Sequence, residues 1–205
     1  MAGSESTRWE AIVLAAGAGR RFAERAGGRK LLAFFEGRPL IAGALDAAFA
    51  APARRVFLVT GGDPDLAEVA RARAQAKGRA DALEVVVATQ AAEGMGASLR
   101  TAIAALPPDA DGAFVFLGDM PRVPLDLAWD LAGALKGGID AAAPRIEGRR
   151  GHPVLFGQAC FPALLALTGD VGARDVLAAL GDRLALVDRQ DPGVLFDIDR
   201  PEDLA

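Results

Sequence analysis

Four short apolar runs, residues 11–15 (AIVLA), 55–59 (RVFLV), 83–87 (LEVVV) and 113–117 (AFVFL), are separated by stretches that read as helix near 40–50, 65–77 and 94–106. Short runs with little polar alternation are what strands buried on both faces look like, and a helix between successive strands makes their pairing parallel. The chain is expected to be an α/β protein with a single-domain, doubly wound, mostly parallel sheet. Further helices near 124–136, 160–167 and 171–180, and strands near 139–143, 153–156, 184–188 and 193–197, are expected to extend that sheet and to cover one side of its cleft. In such sheets the ligand lies outside the carboxyl ends of the strands. Three unusual segments fall at expected strand ends: 15–30, 118–124 and 197–199.

Composition narrows the function classes. A length of 205 residues suits one generous domain, and no repeat or low-complexity linker divides it. The formal charge of −4 argues against a surface built for nucleic acid, so any polyanion site must be local. One cysteine, Cys160, forms no internal disulfide and no metal cluster by itself, which suits a reducing compartment. No apolar stretch reaches the length of a membrane span, and the first residues lack a signal peptide's apolar core. A cytoplasmic protein, with neither membrane nor nucleic acid as partner, is expected.

The first run leads directly into Ala15, Ala16, Gly17, Ala18 and Gly19, followed by Arg20, Arg21 and, further on, Lys30. Bare backbone lets successive N–H groups approach an anion, arginine pairs bidentately with phosphate oxygens, and lysine adds a point charge. This set fits the phosphates of a nucleoside triphosphate better than an uncharged ligand. A tight turn with solvated arginines is the plain alternative. A P-loop would end in Gly-Lys-Ser/Thr, but Gly28-Arg29-Lys30-Leu31 offers no hydroxyl. A dinucleotide fingerprint would use Gly17, Gly19 and an acid such as Glu36, but its third glycine is Phe22.

Two acidic segments end later runs. Gly118-Asp119-Met120-Pro121 puts a carboxylate just past a central strand, where it can hold Mg²⁺ against phosphates or simply cap a turn. Asp197 and Asp199 lie two apart, on one face of an extended chain, and a divalent cation relieves such repulsion. One of them can instead cap a short helix begun by Pro201.

With these pieces assembled, the chain resembles the MobA-like nucleotidyltransferase superfamily. Leu14, Ala15, Ala16, Gly17, Arg21 and Lys30 match its opening pattern, Gly118 to Pro121 its central Gly-Asp-Met-Pro, and Asp199, Pro201, Glu202 and Asp203 its terminal acidic segment. Three stretches, EGMGASL (93–99), GRRGHPVLF (148–156) and TGDVGARDVL (168–177), are similar to the molybdenum cofactor cytidylyltransferase branch. Arg200 stands in place of the usual threonine, Ala23 in place of a glycine, and ATQAA (88–92) lacks the common Asn-Pro. The resemblance covers residue 10 to the end, leaving 1–9 as an N-terminal tail and 10–205 as one Rossmann-like nucleotidyltransferase domain.

The resemblance implies Mg²⁺-dependent transfer of CMP from CTP to a molybdopterin-type acceptor, with release of pyrophosphate and a molybdoenzyme as recipient of the product. It implies Arg21, Lys30 and Asp119 as catalytic residues. Leu14, Ala15, Ala16, Gly17, Gly19, Arg21 and Lys30 would hold the nucleotide's phosphates, while Gly94, Met95 and Ser98 line its base. Asp119, Asp199 and Asp197 would hold the metal, and His152 and Arg174 the acceptor. The remaining alternatives are a relative that transfers GMP or uses a sugar or polyol phosphate, a non-catalytic cofactor carrier, and a dinucleotide-dependent oxidoreductase.

Overall fold

A computed structural model describes residues 7–17, 29–169 and 172–204. The four expected runs are parallel strands β1 (Trp9–Ala15), β4 (Ala53–Thr60), β5 (Leu83–Val87) and β6 (Gly112–Leu117), with β2 (Phe34–Phe35) and β3 (Arg38–Pro39) forming a separate small hairpin. Helices α1 (Ile41–Ala50), α2 (Pro64–Ala76) and α3 (Met95–Ala104) supply the crossovers. Beyond β6 come α4 (Leu127–Ala134), β7 (Ala141–Ile146), β8 (Arg149–Arg150) and β9 (Val154–Gly157), followed by α5 (Phe161–Leu165), α6 (Arg174–Leu180) and β10 (Leu184–Asp188).

The main sheet has the order β10-β7-β9-β6-β1-β4-β5, with β8 paired to β7. β9 runs antiparallel to both β6 and β7, and β10 runs parallel to β7. The fold is therefore the expected single α/β domain with a mostly parallel sheet. β1 sits between β4 and β6, and its side chains alternate between two cores. Ala11, Val13 and Ala15 pack with Ile41, Leu45, Leu66 and Leu131 from α1, α2 and α4. Ile12 faces the opposite layer, with Leu99 and Ile103 of α3 and Leu164 and Leu177 of α5 and α6. Both faces of the strands are covered, which is why they read as continuous apolar runs. No helix among the described residues is long and apolar enough to cross a membrane.

The strand expected at 193–197 does not form. Pro192–Val194 is a 3-10 turn instead, with Pro192 in its first turn and the Asp191 carboxylate accepting from the Gly193 N–H at 2.8 Å. The apolar residues there serve docking rather than pairing. The His152 N–H donates to the Val194 carbonyl, and the Ile198 N–H donates to the Asp119 carbonyl at 3.0 Å. Ile198, fully buried, joins Phe35 and Leu40 in a small core of its own. The terminal segment is thereby drawn across the carboxyl end of β6.

Gly43, near the start of α1, lies so close to the turn after Asp119 that a Cβ there would stand 2.0 Å from the Pro121 carbonyl oxygen. Such a contact has to move backbone. Gly43→Ala is expected to destabilise the fold by about 1–3 kcal/mol in urea titration and to lower turnover as well, because the displaced turn carries Asp119.

Candidate active site

Lys30 opens a 3-10 turn (Lys30–Leu32) whose two leucines pack against the main core, fixing the lysine's backbone. Its ammonium lies 2.8 Å from Asp119 Oδ2 and 3.2 Å from Asp199 Oδ1. The lysine side chain is only 11% exposed, against 28% for Asp119 and 54% for Asp199. Burial by itself lowers the lysine's proton affinity, but the Asp119 charge and the hydrogen bonds to both carboxylates outweigh it and hold Lys30 above its ordinary value. The neighbouring Asp197 carboxyl is pushed up by burial and by the charges of Asp199 and Asp119. Three aspartates thus share one lysine, and the cluster carries excess negative charge.

In front of this group opens a cleft of about 440 Å³. Leu14, Ala15, Ala16 and Gly17 from the end of β1, together with Lys30, Asp119, Gly94, Met95 and Ser98, all line it. Residues that the sequence places 105 positions apart, such as Leu14 and Asp119, therefore face one cavity. Gly94 precedes α3 with φ +123°, a conformation open to glycine and strained for other residues. It turns the chain so that the N-terminus of α3, the positive end of the helix dipole, meets the cleft. The Ser98 hydroxyl lies 3.4 Å from the Gly94 carbonyl, bracing this turn. A second recess of about 370 Å³ shares Ala15, Ala16, Gly17 and Lys30 and adds Arg29, Gly61 and Asp63.

Gly19 and Arg21 lie outside the described residues, as do Ala18 and Arg20. His152 and Arg174 do not line the cleft. His152 sits near Asp119, and its Nδ1 is buried without a hydrogen-bond partner. Burial lowers the affinity of its ring for a proton, against the opposing pull of the Val115 backbone and the Asp119 charge. Arg174 is exposed at the first turn of α6; five residues before it the Gly169 carbonyl accepts from the Gly96 N–H, and a Cβ placed on Gly172 would lie 3.6 Å from the Met95 sulfur. Glu36 stands at the tip of the β2–β3 hairpin, paired with Arg122, and not at the end of the second parallel strand where a dinucleotide's ribose would need it.

The family model for the MobA-like NTP transferase domain matches residues 11–184. The chain belongs to that family. A curated relative, the purine catabolism protein PucB of Bacillus subtilis (strain 168), is 32% identical over 120 residues, covering 57% of this chain and 57% of its own length. The chain thus spans little more than half of that relative. The crystal structure of Rv0371c from Mycobacterium tuberculosis H37Rv superposes with a TM-score of 0.73 at 27% identity, covering 97% of this chain and 96% of that one. A structure of Rv0371C in complex with manganese superposes with a TM-score of 0.68 at 28% identity, covering 96% of this chain and 95% of that one.

The residues present fit a divalent cation of the kind this MobA-like family uses. Asp119 and Asp199 already converge on one cation, the lysine ammonium, and the acidic excess around it calls for more positive charge. Among the described residues no three Asp, Glu, His or Cys side chains come together as a ligand set, so Asp197 does not complete one with them. A metal held by two carboxylates takes its remaining ligands from phosphates and water, as Mg²⁺ characteristically does.

The roles of Arg29 and Asp203 in the site are not given by sequence motifs. Arg29 pairs with Asp63 at 2.8 Å and also with Asp65, tying the residue before Lys30 to the start of α2. Asp199 is held from behind: the Asp203 carboxylate accepts from the backbone N–H groups of Asp199 (3.1 Å) and Arg200 (2.8 Å). Asp203, inside the terminal 3-10 turn, thus reaches back to the residues that enter it, and no cap by Asp199 is seen among the described residues, so its carboxylate is left for Lys30. Asp203→Ala is expected to cost about 1 kcal/mol of stability and to lower kcat, measured by thermal melting and by initial rates at saturating nucleotide.

Proposed function

We propose that this MobA-like nucleotidyltransferase transfers CMP from CTP to a molybdopterin-type acceptor with Mg²⁺, releasing pyrophosphate. The observation that carries the transfer reading is the ammonium of Lys30 set between Asp119 and Asp199 at the mouth of a glycine-lined strand end. In this chemistry a phosphate oxygen of the acceptor attacks the α-phosphorus, a new P–O bond forms, and the bond to the pyrophosphate oxygen breaks. The attacking phosphate is already ionised, so no protein base is required; alignment and charge neutralisation dominate.

Ala15, Ala16 and Gly17 present backbone to the triphosphate; Gly19 and Arg21, outside the described residues, are assigned to it by the resemblance alone. Lys30 meets charge developing on the α-phosphate. Asp119 and Asp199 would hold the divalent ion, which when bound would supply neutralisation of the phosphate oxygens. Gly94, Met95 and Ser98 form the wall for the base. The choice of acceptor is supported by the segments around His152 and Arg174, which resemble the molybdenum cofactor branch and approach the site from the Asp119 and Met95 sides.

Pyrophosphate release from CTP and from GTP, with and without purified molybdenum cofactor, tests the reading. Cofactor-dependent release from CTP alone is expected; release from GTP moves the enzyme to guanylyl transfer, and tight cofactor binding without release makes it a carrier. Lys30→Ala and Asp119→Ala should each lower kcat by about 10²–10³-fold while retaining cooperative thermal unfolding. Full activity in either variant overturns its assignment.

A further inference from the structure

Lys30 is given two tasks that cannot be performed at once. Its ammonium fills the point on which Asp119 Oδ2 and Asp199 Oδ1 converge, at 2.8 and 3.2 Å. A divalent ion shared by the same two carboxylates would compete with the ammonium for that place, since both cations need the same oxygens. Two cations so close repel strongly, all the more where solvent is largely excluded. Metal entry therefore requires the lysine to leave.

We propose that Lys30 is a built-in stand-in for the metal, and that the divalent ion and the triphosphate bind with positive coupling because the triphosphate must draw the lysine away. This rests on the reading that the cleft receives a nucleoside triphosphate. The geometry makes the exchange a side-chain movement: Leu31 and Leu32 anchor the backbone, while the lysine lines both recesses. A flexible four-carbon stem with a rotating ammonium suits that swing. With its ammonium on the phosphates, the vacated carboxylates take the ion, whose remaining positions the phosphates complete. Metal without nucleotide is kept out, and nucleotide without metal leaves two carboxylates unneutralised. By linkage, each ligand tightens the other by the same factor.

The test uses Mn²⁺ as the probe on the full-length, nucleotide-free protein, with free Mn²⁺ read by electron paramagnetic resonance. Lys30→Met, which keeps the stem and removes the charge, is expected to bind Mn²⁺ at least about tenfold more tightly than wild type. Lys30→Arg should bind as weakly as wild type, and adding Asp119→Asn to Lys30→Met should abolish the gain. Mn²⁺ should also raise the Tm of Lys30→Met more than that of wild type. If Lys30→Met does not melt cooperatively, Lys30→Gln takes its place. Equal or weaker Mn²⁺ binding by the charge-removed variant overturns the proposal. Because this readout needs no turnover, an absence of pyrophosphate release from CTP or GTP overturns the functional reading and leaves the metal result to stand or fall separately.

Discussion

One partly buried ammonium holds together segments that lie 89 and 169 positions apart in the chain, and the arrangement of the cleft follows from it. Without that charge, the turn after β6 and the terminal segment would bring two carboxylates face to face, with Asp197 adding to the repulsion. The rest of the architecture keeps the ammonium in place. A 3-10 turn anchored by two leucines sets its backbone, the Ile198 to Asp119 hydrogen bond sets the spacing of its partners, and Asp203 holds Asp199 from behind.

The strands of the parallel sheet were legible because burial on both faces leaves little choice of residue in β1, β4 and β6, while β5, half-buried at the sheet edge, reads through its run of three valines; the ends of all four differ by at most two residues from those expected. The site was legible for a related reason. In a parallel sheet every functional loop emerges at the same end, so glycines and carboxylates that follow different strands must meet. Leu14 to Gly17, Lys30, Gly94, Met95, Ser98 and Asp119 do share one cleft.

What escaped the sequence was whatever depends on pairing at a distance. Val194, Phe196 and Ile198 have strand-like spacing, yet the segment docks through isolated hydrogen bonds and one buried isoleucine, because Pro192 and the Asp191 cap turn the chain just before it. The hairpin of β2 and β3 is two residues a side and has no periodicity to read. Arg29 carries no motif; its place is defined by Asp63 and Asp65, more than thirty positions away, and Asp203 reads as an acidic helix start until its backbone partners are known.

The reversed direction of β9 has a consequence for the hairpin before it. An additional parallel strand beside β6 would begin at the far end of the sheet, but β9 begins at the same end where β6 finishes, with Val154 opposite Val115. The hairpin leading into it is thereby delivered to the rim near Asp119 without a crossover helix. β1, whose end lines the cleft with Leu14 to Gly17, lies on the other side of β6. The hairpin can therefore change in length or side chains without a crossover helix to rebuild, and the point it must keep is the His152 to Val194 hydrogen bond that seats the terminal segment.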